Sequence, residues 1–353
     1  MKKILVVITR RIGDVLLSTP LIRSLRHAYP DAAIHVLVFQ GTEGILQGNP
    51  DVDRILTVNP RMKLRTHMAF LKGIWRKYDL AVSVVPGDRP TLYACIAAAK
   101  RIGPVAEGSG QAWKRKWLTK WVHFDNLDTH TVTMNLRLAV ALGIPPIHEV
   151  IVGWKPGEEE RVRELLPFDQ DEPYVVFHPY PMYAYKMWKR EAWVELAAHL
   201  EGLGHRIVLT GGKDPEESAY VSGLVANFPE GTVNLAGKLS LGGVAYLLSR
   251  ARAYVGPDTA VTHMAAALGI PTVALFGPSN PVKWGPWPKG CREDNPYRLR
   301  GTQKVNNVIL LQGSGDCVPC MEEGCERNLQ SDSACLQNLP TIDVIEALDG
   351  WLK

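Results

Sequence analysis

The feature that most constrains the fold is an alternation of strand, tight turn and helix around Asp258. An apolar strand at 252–256 leads into a turn with Asp258 and Thr259, an alanine-rich helix at 259–268 and a second apolar strand at 272–276. The first N–H groups of such a helix have no carbonyl partner inside it, and its dipole places partial positive charge there. The turn is therefore a predicted phosphate site, with Asp258 capping the helix or holding a sugar hydroxyl. An ordinary strand–cap–helix connection fits equally well.

The same alternation runs through the whole chain. A strand at 3–9 leads into a turn at Gly13 and a helix at 13–28. Further strands are predicted at 33–39, 54–58, 79–85, 101–105, 173–178, 206–210 and 232–235, and further helices at 41–48, 63–77, 90–100, 129–142, 191–203, 214–226 and 241–250. This order predicts two parallel sheets with helices on both faces. Ligands of such sheets bind beyond the carboxyl ends of the strands.

The length of 353 residues favours two domains, and the helix breaker at 143–146 is predicted to separate them. The expected parts are a domain at 1–150, a domain at 151–340, and a helix at 341–353 that packs back on the first domain. The composition, 46% hydrophobic and 22% charged, is typical of a soluble globular protein. The apolar run at 4–8 is too short for a signal peptide and no run is long enough to span a bilayer, so a cytoplasmic protein is expected.

Three short motifs stand at the turns of this alternation. Residues 11–20 read Arg-Ile-Gly-Asp-Val-Leu-Leu-Ser-Thr-Pro, and residues 258–268 read Asp-Thr-Ala-Val-Thr-His-Met-Ala-Ala-Ala-Leu. Lys186 stands two residues before Trp188. In this combination the chain resembles glycosyltransferase family 9, the lipopolysaccharide core heptosyltransferases. Ala260 departs from the family pattern, which has glycine there.

The resemblance implies an α/β GT-B fold, with two Rossmann-like parallel-sheet domains facing a central cleft. The first domain would bind the acceptor, and the second would bind the nucleotide-sugar donor. The implied reaction is an inverting, metal-independent transfer of heptose from ADP-heptose to the inner core of lipopolysaccharide, without a cofactor. A GT-B transferase that uses another nucleotide sugar, or a nucleotide-sugar epimerase of the same architecture, is the alternative.

By the same resemblance, the donor lies against the helix start after Asp258. Lys186 would bind the donor phosphates, and His263 would contact the donor. Glu216 would hold the ribose hydroxyls, with Asp214 and Glu217 as rival choices. The complete set of predicted donor-binding residues is Lys186, Glu216, Asp258, Thr259, Ala260, Val261 and His263.

Asp14 is the predicted catalytic base. A carboxylate at the tip of the first strand–helix turn can take a proton from an acceptor hydroxyl, and the resemblance assigns this role to the aspartate of the Arg-x-Gly-Asp motif. The alternative is structural, with Asp14 as the N-cap of a helix that begins at Val15. Gly13 permits the tight turn in both cases.

Charge is unevenly distributed along the chain. Residues 1–150 hold 21 Lys and Arg against 11 Asp and Glu, a net +10, whereas the remainder holds 19 against 25, a net −6. Much of the positive charge accompanies tryptophan at 62–77 and 113–121, a combination that suits anionic headgroups. The expected partner is an anionic lipopolysaccharide core at the inner-leaflet membrane surface. Nucleic acid is not expected because no nucleic-acid module accompanies these stretches.

The predicted acceptor residues belong to this basic half. They are Gly13, Asp88, Arg89, Lys114, Arg115, Lys116 and Lys120. Residues 87–90 and 113–121 look closest to the family members that add the third heptose as a branch. A solvated surface without a partner is the alternative for the basic stretches.

Four cysteines lie close together before the last helix. They are Cys317, Cys320, Cys325 and Cys335. Such spacings can hold zinc or an iron–sulfur cluster, and disulfides are disfavoured in the cytoplasm. Because similar loops occur in the family without a demonstrated metal, no metal site is assigned to them.

Overall fold

The computed structural model describes residues 1–169 and 172–353, with Ser109 described for its backbone alone. The chain divides into two compact units, Met1–Val152 and Gly153–Lys353. Each unit is built on its own sheet. The predicted α/β class and the two parallel-dominated sheets are confirmed.

The first unit is a doubly wound parallel sheet. Its elements are β1 (Lys3–Ile8), α1 (Ile12–Leu16), α2 (Thr19–Ala28), β2 (Ala33–Phe39), β3 (Arg54–Val58), α3 (Leu64–Ile74), β4 (Tyr78–Ser83), α4 (Asp88–Ala97), β5 (Ala98–Val105), α5 (Ala112–Trp117), β6 (Lys120–His123) and α6 (Thr131–Ala141). The strand order is β3-β2-β1-β4-β5-β6, with every pair parallel. In β1 all five residues from Ile4 to Ile8 are buried, as expected of a central strand covered on both faces.

The second unit repeats this plan with one antiparallel edge. Its elements are α7 (Glu158–Leu165), β7 (Tyr174–Phe177), α8 (Arg190–Gly202), β8 (Arg206–Leu209), α9 (Pro215–Val225), β9 (Val233–Asn234), α10 (Leu241–Arg250), β10 (Ala253–Pro257), α11 (Ala260–Leu268), β11 (Thr272–Phe276), α12 (Pro281–Trp284), β12 (Gln303–Val305), β13 (Val308–Gln312), α13 (Ala334–Gln337) and α14 (Thr341–Leu352). The order is β12-β13-β11-β10-β7-β8-β9. Among the strands that the structure describes, β12 is the one that runs antiparallel, beside β13.

Several predicted element boundaries are wrong. The helix expected at 13–28 is two helices, α1 and α2, and Pro20 lies in the first turn of α2, where its missing N–H costs nothing. The helix expected at 90–100 ends at Ala97 because the chain continues directly as β5. The helix expected at 41–48 is a short 3-10 turn over Glu43–Leu46. The strands β6, β12 and β13 were not predicted.

The C-terminal helix belongs to the second unit, and the expectation that it packs back on the first domain is wrong. The apolar residues Val344, Ile345 and Leu348 of α14 are buried in the core of the second unit. This core includes Trp188 and Trp193, and His199 of α8 bonds to Asp349 of α14 at 2.9 Å. The helix therefore completes the covering of its own sheet.

The helices that the structure describes are short compared with the thickness of a bilayer. Even α8, with 13 residues, falls well below the roughly 20 that a spanning helix needs. Among the helices in 1–169 and 172–353, none is long and apolar enough to cross a bilayer.

Candidate active site

The turn between β10 and α11 is capped by Thr259. Its side-chain oxygen accepts the backbone N–H of Thr262 at 3.4 Å, and the Thr262 hydroxyl in turn bonds to the carbonyl of Pro257 and lies 2.9 Å from the Tyr254 hydroxyl. The alternative in which Asp258 caps this helix is therefore wrong. The amides of Ala260 and Val261 are the first two of α11 and have no carbonyl partner inside the helix.

Asp258 is paired with Lys186 instead. The Lys186 ammonium lies 2.5 Å from Asp258 Oδ2, and both side chains are largely buried. The hydroxyl of Ser279 donates to the same oxygen at 2.8 Å. Lys186, Asp258 and Ser279 follow β7, β10 and β11, which are adjacent parallel strands, so all three lie at the carboxyl edge of the sheet.

The pair sets the charge of the site. Burial by itself raises the pKa of the Asp258 carboxyl, but the nearby positive charge of Lys186 and the hydrogen bonds that Asp258 accepts bring this pKa below its usual value. Asp258 is consequently ionised at neutral pH and is balanced by Lys186. An acidic residue can therefore stand beside the positive helix end without making the surroundings strongly negative.

His263 lies one turn into α11 and is buried. Its Nε2 is 3.8 Å from Asp258 Oδ1, which is too long for a hydrogen bond. Burial lowers the pKa of His263 to about 4, so the ring is neutral at pH 7. Its Nδ1 has no hydrogen-bond partner within the residues that the structure describes.

The two named residues of the Lys-x-Trp motif have different surroundings: Trp188 is buried in the core, and the Lys186 ammonium lies at the edge of the sheet. Trp188 is 1% exposed, and its indole N–H donates to the Leu339 carbonyl at 3.0 Å. Lys186 ends a 3-10 turn whose Tyr185 stacks on Tyr183 with ring centroids 5.4 Å apart. Trp188 therefore fixes the loop on the core, and the loop places the Lys186 ammonium beside Asp258.

The three rival carboxylates after β8 have different local roles. Asp214 caps α9, and Glu217 accepts the Gly212 amide at 2.6 Å. Glu216 is exposed, and burial together with the nearby Glu216 carboxylate raises the pKa of the Tyr180 hydroxyl. Asp214 and Glu217 are thus engaged in local structure, which leaves Glu216 as the best candidate for a ligand. Its assignment to ribose remains a prediction.

Asp14 is not an N-cap. The helix α1 begins at Ile12 with Arg11 as the cap residue, so Asp14 is its third residue and Gly13 its second. The expected helix start at Val15 is therefore wrong, and Gly13 is a helical residue. The Asp14 side chain is half-buried, in the first turn, where the helix dipole favours a negative charge.

Two of the predicted acceptor lysines serve the fold. Lys114 is 1% exposed; its ammonium lies 2.8 Å from Asp88 Oδ1 and bonds to the carbonyl of Pro86. The prediction that Lys114 faces an anionic partner is therefore wrong, since its side chain is buried and its ammonium is ion-paired with Asp88. Lys120 donates to the carbonyl of Ala141 at 2.9 Å, at the end of α6.

The remaining acceptor candidates lie on the surface. Arg89 is exposed and donates to the Pro60 carbonyl at 3.0 Å. Arg115 and Lys116 are exposed, and the Arg115 guanidinium lies 5.1 Å from the ring centroid of Trp121. Large apolar side chains are exposed in both basic stretches, namely Leu64, Met68, Trp75, Trp117 and Trp121. These surfaces therefore combine positive charge with exposed apolar area.

The cysteine segment supports the loops of this site. Cys317 and Cys325 are exposed and Cys335 is buried; burial, with neighbouring Cys320 and Cys325 contributing, raises the pKa of the Cys335 thiol to about 11. Within 1–169 and 172–353 no three side chains of the metal-binding types converge on one point. The same segment bonds to the donor-site loops, since Met321 donates to the Pro278 carbonyl at 2.9 Å.

Ser279 and Tyr180 were missed by the sequence analysis, because a lone hydroxyl in a loop carries no pattern.

Comparison with known proteins identifies the family. The sequence profile of glycosyltransferase family 9 (heptosyltransferase) matches residues 76–293. Lipopolysaccharide heptosyltransferase 3 of Escherichia coli is 29% identical over 285 residues, covering 78% of this chain and 83% of the relative.

Solved structures agree on the GT-B fold. The glycosyl transferase family 9 protein from Veillonella parvula has a TM-score of 0.80 at 22% identity, covering 99% of this chain and 97% of that one. The E. coli ADP-heptose lps heptosyltransferase II has a TM-score of 0.78 at 21% identity, covering 100% and 98%. The chain therefore belongs to glycosyltransferase family 9 and is a glycosyltransferase.

Proposed function

We propose that this enzyme transfers heptose from ADP-heptose to the inner core of lipopolysaccharide. The observation that carries the proposal is the start of α11, where the two leading amides stand beside the Lys186–Asp258 pair. Helix N-termini with an adjacent lysine favour diphosphate oxygens. The heptosyltransferase activities of the relatives support heptose as the sugar and ADP as the carrier.

The donor residues have separate roles. Lys186, Thr259 and the amides of Ala260 and Val261 bind the diphosphate, and their interaction strengthens as negative charge develops on the leaving group. Asp258 accepts a hydrogen bond from a sugar hydroxyl, and His263 borders the donor as a neutral ring. Glu216 holds the ribose, beside Tyr180.

Asp14 is the proposed general base. Its carboxylate takes the proton of the acceptor hydroxyl as that oxygen attacks the anomeric carbon, and ADP leaves from the opposite side, so the configuration inverts. Lys186 and the helix start supply the charge that a metal ion would otherwise provide, so the proposed transfer is metal-independent.

The proposed acceptor is the anionic core oligosaccharide at the inner leaflet, with the enzyme bound peripherally from the cytoplasm. Exposed Arg115, Lys116 and Arg89 support this assignment. The buried Lys114 and the helix-bonded Lys120 contribute by holding α5 and β6 in place.

The test has two parts: it compares nucleotide-sugar donors with the wild-type enzyme, and it replaces one charged residue of the proposed donor site. ADP-heptose should raise the Tm and support transfer to a heptose-containing core acceptor, whereas UDP-sugars should do neither. Lys186→Ala should lower kcat/KM for the donor by about tenfold or more, because a hydrogen bond to a charged group contributes roughly 1.5–3 kcal/mol. Lys304→Ala, at an exposed lysine on β12, is the matched control. Unchanged donor kinetics in Lys186→Ala would remove the proposed diphosphate site.

A further inference from the structure

Ser279 lies beside the proposed donor site, in the loop that follows β11. It is half-buried, and its hydroxyl donates to Asp258 Oδ2 at 2.8 Å. The same carboxylate oxygen accepts Lys186 Nζ at 2.5 Å. Asp258 is therefore held by one charged donor and one neutral donor.

Binding of a diphosphate changes this balance. The Lys186 ammonium has three N–H donors, and phosphate oxygens at the α11 start compete with Asp258 for them. His263 does not replace Lys186, because its ring is neutral and its Nε2 lies 3.8 Å from Asp258 Oδ1. A largely buried carboxylate that loses a partner beside a diphosphate is unfavourable, because its charge is left poorly compensated.

We infer that Ser279 is a positioning residue for the donor: its hydroxyl holds the Asp258 carboxylate in place while Lys186 turns to the diphosphate. The inference rests on the proposed function. It explains why a carboxylate can remain ionised and oriented toward the sugar after its lysine has been engaged by the phosphates.

The loop that carries Ser279 is fixed on both sides. Before it, Pro278 accepts the Met321 amide at 2.9 Å, and Gly277 approaches Leu336 so closely that a Cβ would lie 2.7 Å from its Cγ. After it, the Asn280 side chain caps α12 by accepting from the amide of Val282 at 2.9 Å. The hydroxyl is therefore held toward Asp258 by the fold.

The first test removes the hydroxyl. Ser279→Ala should weaken ADP binding and raise the KM for ADP-heptose by about tenfold, as expected for a hydrogen bond to a charged group, with kcat and the acceptor KM much less affected. Ser279→Thr keeps the hydroxyl and should restore most of the affinity. Ser249→Ala is the matched control, because the Ser249 hydroxyl bonds to the Tyr246 carbonyl on α10.

A double-mutant cycle separates positioning from a direct contact. If Ser279 acts through Asp258, Ser279→Ala should have no further effect on ADP affinity in an Asp258→Ala background. An equal loss in both backgrounds, or wild-type affinity in Ser279→Ala, would overturn the inference. The cycle is measured with ADP, or with UDP if UDP alone raises the Tm of the wild type. Because it measures the affinity for a nucleotide and not the transfer of a sugar, it does not depend on which sugar the enzyme transfers. Transfer of a different sugar would therefore overturn the proposed function but leave the Ser279 test valid.

Discussion

The ammonium of Lys114 lies 2.8 Å from Asp88 Oδ1 and joins α5 to the start of α4. The lysine is buried although its neighbours Arg115 and Lys116 are exposed. Neighbouring cations in one turn of α5 therefore have different roles: Lys114 makes a structural contact, whereas Arg115 and Lys116 lie on the surface. The difference cannot be read from charge alone, since all three residues belong to one basic run.

Lys114→Ala should destabilise the enzyme. The substitution removes a charged donor from the Pro86 carbonyl and leaves space around α5, so we expect a loss of about 1–3 kcal/mol in the free energy of unfolding. Asp88 is exposed and can be solvated, which limits the loss. Urea denaturation measures it. Lys116→Ala, at an exposed position, should stay within about 0.5 kcal/mol of the wild type, and equal stability of the two variants would contradict the structural role.

The sequence was most informative where local pattern and tertiary structure agree. The apolar runs of β1 and β10 are buried in parallel sheets as predicted, and the Lys186–Trp188 spacing places one side chain in the core and the other at the sheet edge. Such elements are recognisable because a central strand is apolar throughout its length.

Contacts between distant residues were not predictable in this way. Ser279 contacts Asp258, 21 positions away in the sequence, because β10 and β11 are neighbours. Lys114 of α5 contacts Asp88 at the start of α4. Three of the four residues of strand β6 are exposed and one is half-buried, so this edge strand lacks the apolar run of a central strand. The apolar face of α14 showed that the helix packs, but not on which sheet.

Asp14→Asn tests the proposed base. Asparagine keeps the size of the side chain but cannot take a proton, so turnover should fall by about 10²-fold or more while ADP affinity and Tm remain near wild type. Initial rates with saturating donor measure the change. Asp31→Asn, at an exposed loop position of the same unit, is the control. Normal turnover in Asp14→Asn would leave Asp14 with a role in α1 alone.

The exposed apolar side chains of the basic stretches predict membrane binding. Met68 and Trp75 lie in the stretch around α3, and replacing both by Ser should reduce binding to anionic vesicles at physiological salt. Replacing Arg115 and Lys116 by Gln should weaken it by about 1 kcal/mol per charge, an effect that high salt removes. Vesicle co-sedimentation measures both. ADP affinity should not change, because its proposed site lies in the second unit; a variant set with unaltered vesicle binding would refute the membrane surface.

Two buried histidines predict a loss of stability in acid. Burial lowers the pKa of His178 to about 4, and its Nδ1 lies 3.1 Å from the Thr210 hydroxyl; the pKa of His263 is also lowered to about 4. In the unfolded chain each ring returns to the ordinary histidine pKa of 6.5. Between these values the unfolded state binds more protons, so the free energy of unfolding falls as the pH drops from 6.5 towards 4.

His178→Gln should therefore make the enzyme less sensitive to acid, whatever its stability at pH 7.5. Over the interval from pH 7.5 to pH 5 the protonation of one unfolded histidine accounts for about 2 kcal/mol, because each unit of pKa difference corresponds to about 1.4 kcal/mol. Urea denaturation at the two pH values should show a loss smaller by that amount in His178→Gln than in the wild type. His27→Gln, at an exposed position, should keep the wild-type loss. An unchanged pH dependence in His178→Gln would mean that this ring is already protonated in the folded enzyme at pH 5.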